Sequence, residues 1–431
     1  MGGAASLRLF RDASFRALWI GQLVSVFGDR FTYLALLAVI VAHARVPGNP
    51  AAELSWIPVV SFLPTILFGP WVGALVDTWD RKRVLVLSDT ARGVLALLFL
   101  VVVPHGGLPG AFGLVFALYV ANSFFLPARS AILPDTVPED RLVEANSLVT
   151  LAGVVATIAG SLAGGVAIAR FGWRVGFALD AVTYFISAAA LLWIRVPHAR
   201  RVRVVGAAGA AETRNAYRAL FDDVREGARV ALSSRRALGA IAATGLLWVA
   251  GGVLHVAAPI VLQNRGRGMV SGVGTLLAAT ATGMVAGSLA LAARGRGRSP
   301  WGRTAWGLVG AGAALVAFAR MAGVTAGLAL GLVAGAFVAL LLVTTEAVLQ
   351  ETIAVETRAR VFALRDFTAR ILVLAAAGIT GAVLARGAAR AEWVVAGAGL
   401  FLGAGGIALA LVALARGRSG GRARGAASEP G

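Results

Sequence analysis

The chain has 431 residues, 58% apolar and only 14% charged, with a formal net charge of +19. Soluble domains carry about 25% charged residues and rarely sustain long apolar runs, so this composition points to a lipid environment. Cysteine is absent, which excludes disulfides, thiolate metal sites and thiol catalysis, and the basic residues sit in short clusters between apolar runs, which argues against a nucleic-acid-binding surface.

Twelve helix-length spans are predicted, at 15–42, 54–76, 84–103, 110–130, 146–169, 174–194, 237–262, 270–292, 304–320, 325–346, 367–385 and 393–415. A bilayer core takes about 20 apolar residues per helix, whereas a membrane barrel reads as alternating segments of about 10 residues. The fold class is therefore an all-α membrane protein with twelve transmembrane helices. Residues 42–44 have the Ala-x-Ala look of a cleavage site, but the apolar run from Phe15 is longer than the ~7–15 residues of a signal peptide and is interrupted by Asp29 and Arg30. The first span is expected to be retained.

In that span Gln22, Ser25, Asp29 and Tyr33 fall on one stripe, which reads as a cavity-lining face. A carboxylate near the middle of a span is costly unless it is paired, hydrated or protonated. Arg30 is adjacent but projects about 100° away around the helix. Two readings stand side by side, a structural Asp29–Arg30 ion pair and a protonation or substrate-cation site, and the second is preferred.

A tight loop follows the second span. Its stretch 73–83 carries Gly73, Asp77, Asp80, Arg81, Lys82 and Arg83. Gly73 lets a neighbouring backbone approach. Asp77 lies four residues before Arg81, within reach of a charge-assisted pair, and its carboxylate could also face a helix N-terminus. Asp89 and Arg92, three apart in the next span, could extend that network. Lys82 and Arg83 read as topogenic charge. Asn122, Arg129, Glu144 and Glu346 lie towards the cytoplasmic ends, where salt bridges or topogenic roles are expected.

One long connection, Arg195 to Arg236, divides the spans into six and six. Residues 206–211 are small and flexible. Tyr217, Leu220, Phe221, Val224 and Ala228 then recur at helical spacing, predicting an amphipathic linker helix on the membrane surface or under the bundle. The domain division is 1–194, 195–236, 237–415 and a disordered basic tail at 416–431. The halves also echo each other: Ala-Ile-Leu-Pro-Asp-Thr at 131–136 and Ala-Val-Leu-Gln-Glu-Thr at 347–352 suggest a parallel repeat. In span seven, the repeat partner of span one, His255 has the ordinary pKa of a proton relay, near 6.5, although a lone histidine on an apolar helix more often packs. With an N-terminus inside, 31 of the 40 basic residues fall on the cytoplasmic side and 8 on the other, which puts both termini inside.

The loop at 73–83 resembles the motif Gly-x-x-x-Asp-x-x-Gly-Arg-Lys/Arg of the major facilitator superfamily. Gly73, Asp77, Arg81 and Lys82 match it, while Asp80 stands in place of the second glycine. Gly28-Asp29, Asp89-x-x-Arg92, the run 127–134 with Pro127 and Arg129, and Arg358-x-Arg360-Val-Phe362 are similar to the drug:proton antiporter-like branch that includes macrolide-efflux and siderophore-export proteins. The resemblance covers essentially the whole chain. It implies two pseudo-symmetric six-helix halves that open alternately to either side and export a small organic molecule against proton entry. It also implies a cytoplasmic gate at Gly73, Asp77, Arg81, Asp89, Arg92, Arg129 and Glu346, and a proton or substrate cavity at Asp29, Arg30, Gln22, Tyr33 and His255. In this superfamily the sixth helix is peripheral, so Asp180 reads as a structural hydrogen bond. The glycine pairs 69/73, 160/164 and 283/287 lie on helices that form the family's seam between halves. The equivalent loop of the second half, 294–298, keeps cations but has no aspartate.

No Walker-A loop, Rossmann fingerprint or serine nucleophile elbow occurs. The expected function is a proton-coupled exporter in the plasma (inner) membrane, monomeric, with a lipophilic or amphipathic substrate, protons and the lipid bilayer as partners, and no cofactor, metal or nucleic acid. The alternatives are a facilitative or uptake carrier of the same fold and, less favoured, a membrane-embedded enzyme or receptor.

Overall fold

The computed structural model describes residues 9–46, 49–195, 210–266, 268–294, 299–320 and 324–425. Among these residues it is helical and has no strand. The helices are α1 Ala13–His43, α2 Trp56–Thr78, α3 (81–106) and α4 (108–136), α5 Leu142–Phe171, α6 Trp173–Leu191, the linker helix α7 Ala210–Ser233, α8 Arg235–Asn264, α9 Met269–Arg294, α10 Pro300–Arg320, α11 Val324–Thr352, α12 Val355–Ala385 and α13 Ala391–Gly425. Among the described residues, eleven helices are long and apolar enough to cross a bilayer. One of them, Arg81–Thr136, has 56 residues and turns at Gly107, whose φ of 54° and ψ of −145° suit only glycine. Such a helix would be about 84 Å long if straight, against a hydrocarbon core of about 30 Å. Divided there it supplies two crossings, and the total is twelve in two halves.

Local chemistry sets the helix ends. Asp12 caps α1, its carboxylate accepting from Ser14 N at 2.7 Å and Phe15 N at 3.0 Å. Asp80 caps α3 by accepting from Arg83 N at 2.9 Å, which accounts for an aspartate where the motif has glycine. Gly172, at φ 81°, makes the corner between α5 and α6.

The chain divides into two compact units. The first comprises residues 1–222 and 262–278, the second 223–261 and 279–431. In the first, α1 packs on α5 and α6, the α3–α4 pair packs on α6, and α2 packs on the α3–α4 pair. In the second, α10 packs on α11 and α13. Large apolar side chains also line the outside: Val101, Leu289, Ile379 and Leu400 are each more than half exposed. An apolar exterior is stable in lipid, where water exclusion does not drive helix packing.

Three sequence expectations change in detail. The linker helix forms, but Phe221 is 72% exposed, while Gly227 and Ala231 are buried; the side chains of Tyr217 and Leu220 lie outside the description. The docking face has thus rotated: Ala231 joins a core with Ala237, Ile241, Leu349 and Val361, and the backbone at Gly227 passes so close to Arg360 that a β-carbon would sit 2.6 Å from its carbonyl oxygen. Helix α12 begins at Val355, a dozen residues before the apolar span, because its first turns are polar but still helix-forming. Helix α13 continues to Gly425 through residues expected to be disordered, since adding residues to an existing helix is far easier than nucleating one; residues 426–431 lie outside the description, as does most of the loop at 294–298.

Candidate functional site

Four segments of the first unit bring a charged cluster into its interior. Helix α6 contributes Asp180, Thr183, Tyr184 and Ser187, spaced as i, i+3, i+4 and i+7 and all buried. Helix α3 contributes Asp89 and Arg92, one turn apart and 0% and 1% exposed. Helix α4 supplies Asn122 and Phe125, and α1 supplies Asp29 and Thr32.

Arg92 is the hub. Its guanidinium pairs with Asp89, donates to Asn122 Oδ1 at 3.2 Å, and lies 3.7 Å from Asp29. It sits over the rings of Phe125 and Tyr184, 4.4 and 4.6 Å from their centroids. The Tyr184 hydroxyl donates to Asp29 at 2.6 Å. The Ser187 hydroxyl lies between the Asp89 carboxylate and the Gly21 carbonyl, 3.0 Å from the latter. Asp180, 0% exposed, accepts from the hydroxyls of Thr32 and Thr183. A β-carbon at Gly28 would collide with Thr183 and Asp180, so glycine beside Asp29 is what lets α1 press against α6. The side chain of Asp29, at 28%, is the one carboxylate of the three with a surface open to its surroundings.

Two carboxylates, Asp89 and Asp29, thus share one guanidinium, and a third, Asp180, is held beside them by hydroxyls. Burying such charges costs several kcal/mol of desolvation, and well-packed apolar residues would serve stability as well or better. Ionisable groups that persist inside a membrane bundle therefore point to function.

The arrangement corrects the sequence reading in two places. Asp29 is joined to Arg92 and Tyr184, not to Arg30. Asp89 and Arg92 belong to this interior cluster rather than to the loop around Arg81, because helical geometry turns them inward while Arg81 stays at the helix start. Tyr184, Ser187, Thr32 and Thr183 are not among the residues the sequence singles out; the polar stripe on α6 is the available signal, and the expectation of a peripheral sixth helix hides it. Gln22 and Ser25 are buried on the stripe of Asp29, and Tyr33 is half-buried. His255 belongs to the second unit and is half-buried on α8.

At the end of α2, Arg81 Nη1 pairs with Asp135 Oδ2 at 2.8 Å and donates to the Ala131 carbonyl at 3.0 Å, so that the start of α3 grips the end of α4. Lys82 donates to the Leu192 carbonyl at 2.6 Å. The side chain of Asp77 lies outside the description, and a β-carbon at Gly73 would meet nothing within 4 Å. Arg129 is half-buried. Glu346, in the second unit, pairs with Arg365, which also holds Asp366 at 2.9 Å.

A sequence model described as Major Facilitator Superfamily matches residues 18–322, about seven-tenths of the chain. The chain belongs to the major facilitator superfamily. Its curated relatives include BacE of Bacillus subtilis, named as a bacilysin exporter, 28% identical over 257 residues, which are 59% of this chain and 60% of that one. Macrolide efflux protein A of Streptococcus pyogenes is 25% identical over 191 residues, 42% of this chain and 45% of that one. The chain therefore spans less than two thirds of the relatives it matches. Solved structures with the same fold include a mutant of the peptide transporter POT, with a TM-score of 0.70 at 13% identity, covering 93% of this chain and 95% of that one. A bacterial homologue of the iron transporter ferroportin has a TM-score of 0.67 at 16% identity, covering 94% and 98%.

Each unit ties the end of its fourth helix with an arginine, from different positions. Arg81 reaches the Ala131 carbonyl of α4 from the third helix; Arg358 reaches the Gln350 carbonyl of α11 and the Ile353 carbonyl just beyond it, at 2.7 and 3.2 Å, from the fifth. Two of the three glycine pairs mediate close packing within units: Gly160 and Gly164 meet Phe27, Arg30, Phe31 and Leu34 of α1, and Gly283 and Gly287 meet the backbone of Leu332 and Ala336, whereas Gly69 and Gly73 approach no other helix closely.

Proposed function

We propose that this major facilitator exports a small lipophilic or amphipathic organic molecule by alternating access, in exchange for protons, and that Asp29 carries the proton. The observation that carries this reading is the unequal exposure of one network: Asp29 is 28% exposed, whereas Asp89 and Arg92, to which it is linked, are 0% and 1%. A proton or cation therefore meets the cluster at Asp29. Neutralising Asp29 removes one of the carboxylates facing Arg92 and changes what the Tyr184 hydroxyl bonds, so a surface event is felt between α1, α3 and α6. Export as the direction is supported by the efflux-type relatives. The excess of basic residues in the loops assigned to the inside supports cytoplasmic termini in a plasma membrane. The loop with Asp77 and Arg81 would stabilise one conformation at the cytoplasmic end, and one polypeptide suffices for the cycle.

The test is transport by reconstituted protein in proteoliposomes, with and without an imposed pH gradient, using compounds to which an efflux-deficient host becomes resistant. Wild-type protein is expected to accumulate compound only when protons can run in the opposite direction. Asp29→Asn is expected to fold, because an amide oxygen still accepts from Tyr184, and to lose the dependence on the gradient. Wild-type coupling in Asp29→Asn removes Asp29 from the mechanism, and gradient-independent equilibration by the wild type identifies a facilitative carrier.

A further inference from the structure

The interior of the first unit holds a second arginine whose situation is the reverse of that of Arg92. Arg30 follows Asp29 on α1, but its stem turns towards α5, where a β-carbon on Gly160 would lie 3.1–3.2 Å from its Cγ and Cβ. Among the described residues it has no carboxylate partner, and its Nε is buried with no hydrogen-bond partner. The residue is only half-buried. Its charge is felt at the phenols of Tyr33 and Tyr119, and Tyr119 in turn interacts with the hydroxyl of Ser61. An unpaired guanidinium on a membrane-spanning helix is unfavourable unless something else supplies the counter-charge. Its planar donor fork matches a carboxylate, and weak hydration makes arginine the cation best suited to a partly dehydrated site.

We propose that Arg30 is an anion-recognition site of the transporter, binding a carboxylate of the transported molecule between α1 and the tyrosines Tyr33 and Tyr119. This rests on the transport reading above and narrows its substrate class to amphipathic acids or zwitterions. Glycine at position 160 is part of the site, because it leaves room for the arginine stem against α5.

The experiment uses full-length protein in nanodiscs and isothermal titration with three matched pairs: octanoate and octanamide, N-acetyl-phenylalanine and its amide, and benzoylglycine and its amide. The wild type is expected to favour the acid over the amide in at least one pair by about tenfold or more, the scale of a charge-assisted hydrogen bond. Arg30→Gln is expected to abolish that preference and Arg30→Lys to retain a reduced one; helix content and monodispersity verify both. Equal affinity for acid and amide in all three pairs of the wild type, or a preference that persists in Arg30→Gln, overturns the assignment. If Arg30→Gln does not fold, the wild-type pairs and Arg30→Lys decide. Binding is measured without a gradient, so a failure of proton coupling leaves this result standing. Proton-driven export by a wild type that binds acids no better than amides refutes the role of Arg30 alone.

Discussion

The two units handle charge in opposite ways. In the first, an arginine and three aspartates lie deep among α1, α3, α4 and α6, and two of the aspartates are 0% exposed. In the second, the ion pairs are more open: Arg360 holds Asp223 at 2.8 Å and Glu226 at 2.6 Å with all three side chains roughly two-fifths exposed, and Glu346 meets Arg365 near the polar start of α12. The repeat partners α8 and α10 carry no aspartate or glutamate at all, and α13 has one only in its first turn. Among the described residues, interior charge is thus concentrated in the first unit. The difference teaches that the ion pairs of the second unit fasten helices, chiefly the linker helix to α12, whereas those of the first create an environment that a titrating or charged solute can alter.

Removing the hub is the severest challenge to that contrast. Arg92→Leu is expected to cost about 3–5 kcal/mol, because it leaves buried carboxylates without their counter-charge. Detergent thermal melts and the yield of monodisperse protein measure it, and a tolerated Arg92→Leu would mean that the cluster is neutral or hydrated and the contrast unfounded. A smaller effect is expected where α5 meets α1. Gly160→Leu should destabilise by about 1–3 kcal/mol through overpacking against Phe27 and Arg30, read in the same melts. At the exposed end of the comparison, Arg360→Ala should change global stability by less than about 1 kcal/mol, since ion pairs this open are screened. It should nonetheless speed hydrogen exchange in α7 selectively, and unchanged exchange there would show that the apolar contacts of Ala231 alone hold the linker helix. The smallest effect belongs to Gly378 in α12, where a β-carbon meets nothing within 4 Å. Gly378→Ala should stabilise by up to about 1 kcal/mol through helix propensity, the opposite sign to Gly160→Leu.

The candidate site was partly legible before any coordinates. Asp29 stands out because one carboxylate in a long apolar run has no innocent explanation, and the Asp89–Arg92 spacing marks a pair. Their common membership was not legible. Residues 29, 92, 122 and 184 are far apart in sequence, and periodicity assigns a face to each helix without saying which faces meet. Asp180 illustrates the gap: the i, i+3, i+4, i+7 stripe around it was visible, yet only contact with Thr32 and Gly28 shows that it looks towards α1. Arg81 is a second case: its contact with Asp135, 54 residues away, is delivered by the helix hairpin and is not readable from proximity in sequence.

By itself the sequence determined the number and type of the spans and the lipid environment. All of these follow from local rules, the apolar run needed to cross a bilayer and the demand that every backbone polar group be satisfied within its own helix. Only the tertiary structure decided which charges share a partner, that Arg30 has no carboxylate partner among the described residues, and how the linker helix is fastened. Those outcomes depend on how closely helices approach at Gly28, Gly160 and Gly227 and on their rotation about their own axes, quantities set by packing between distant segments.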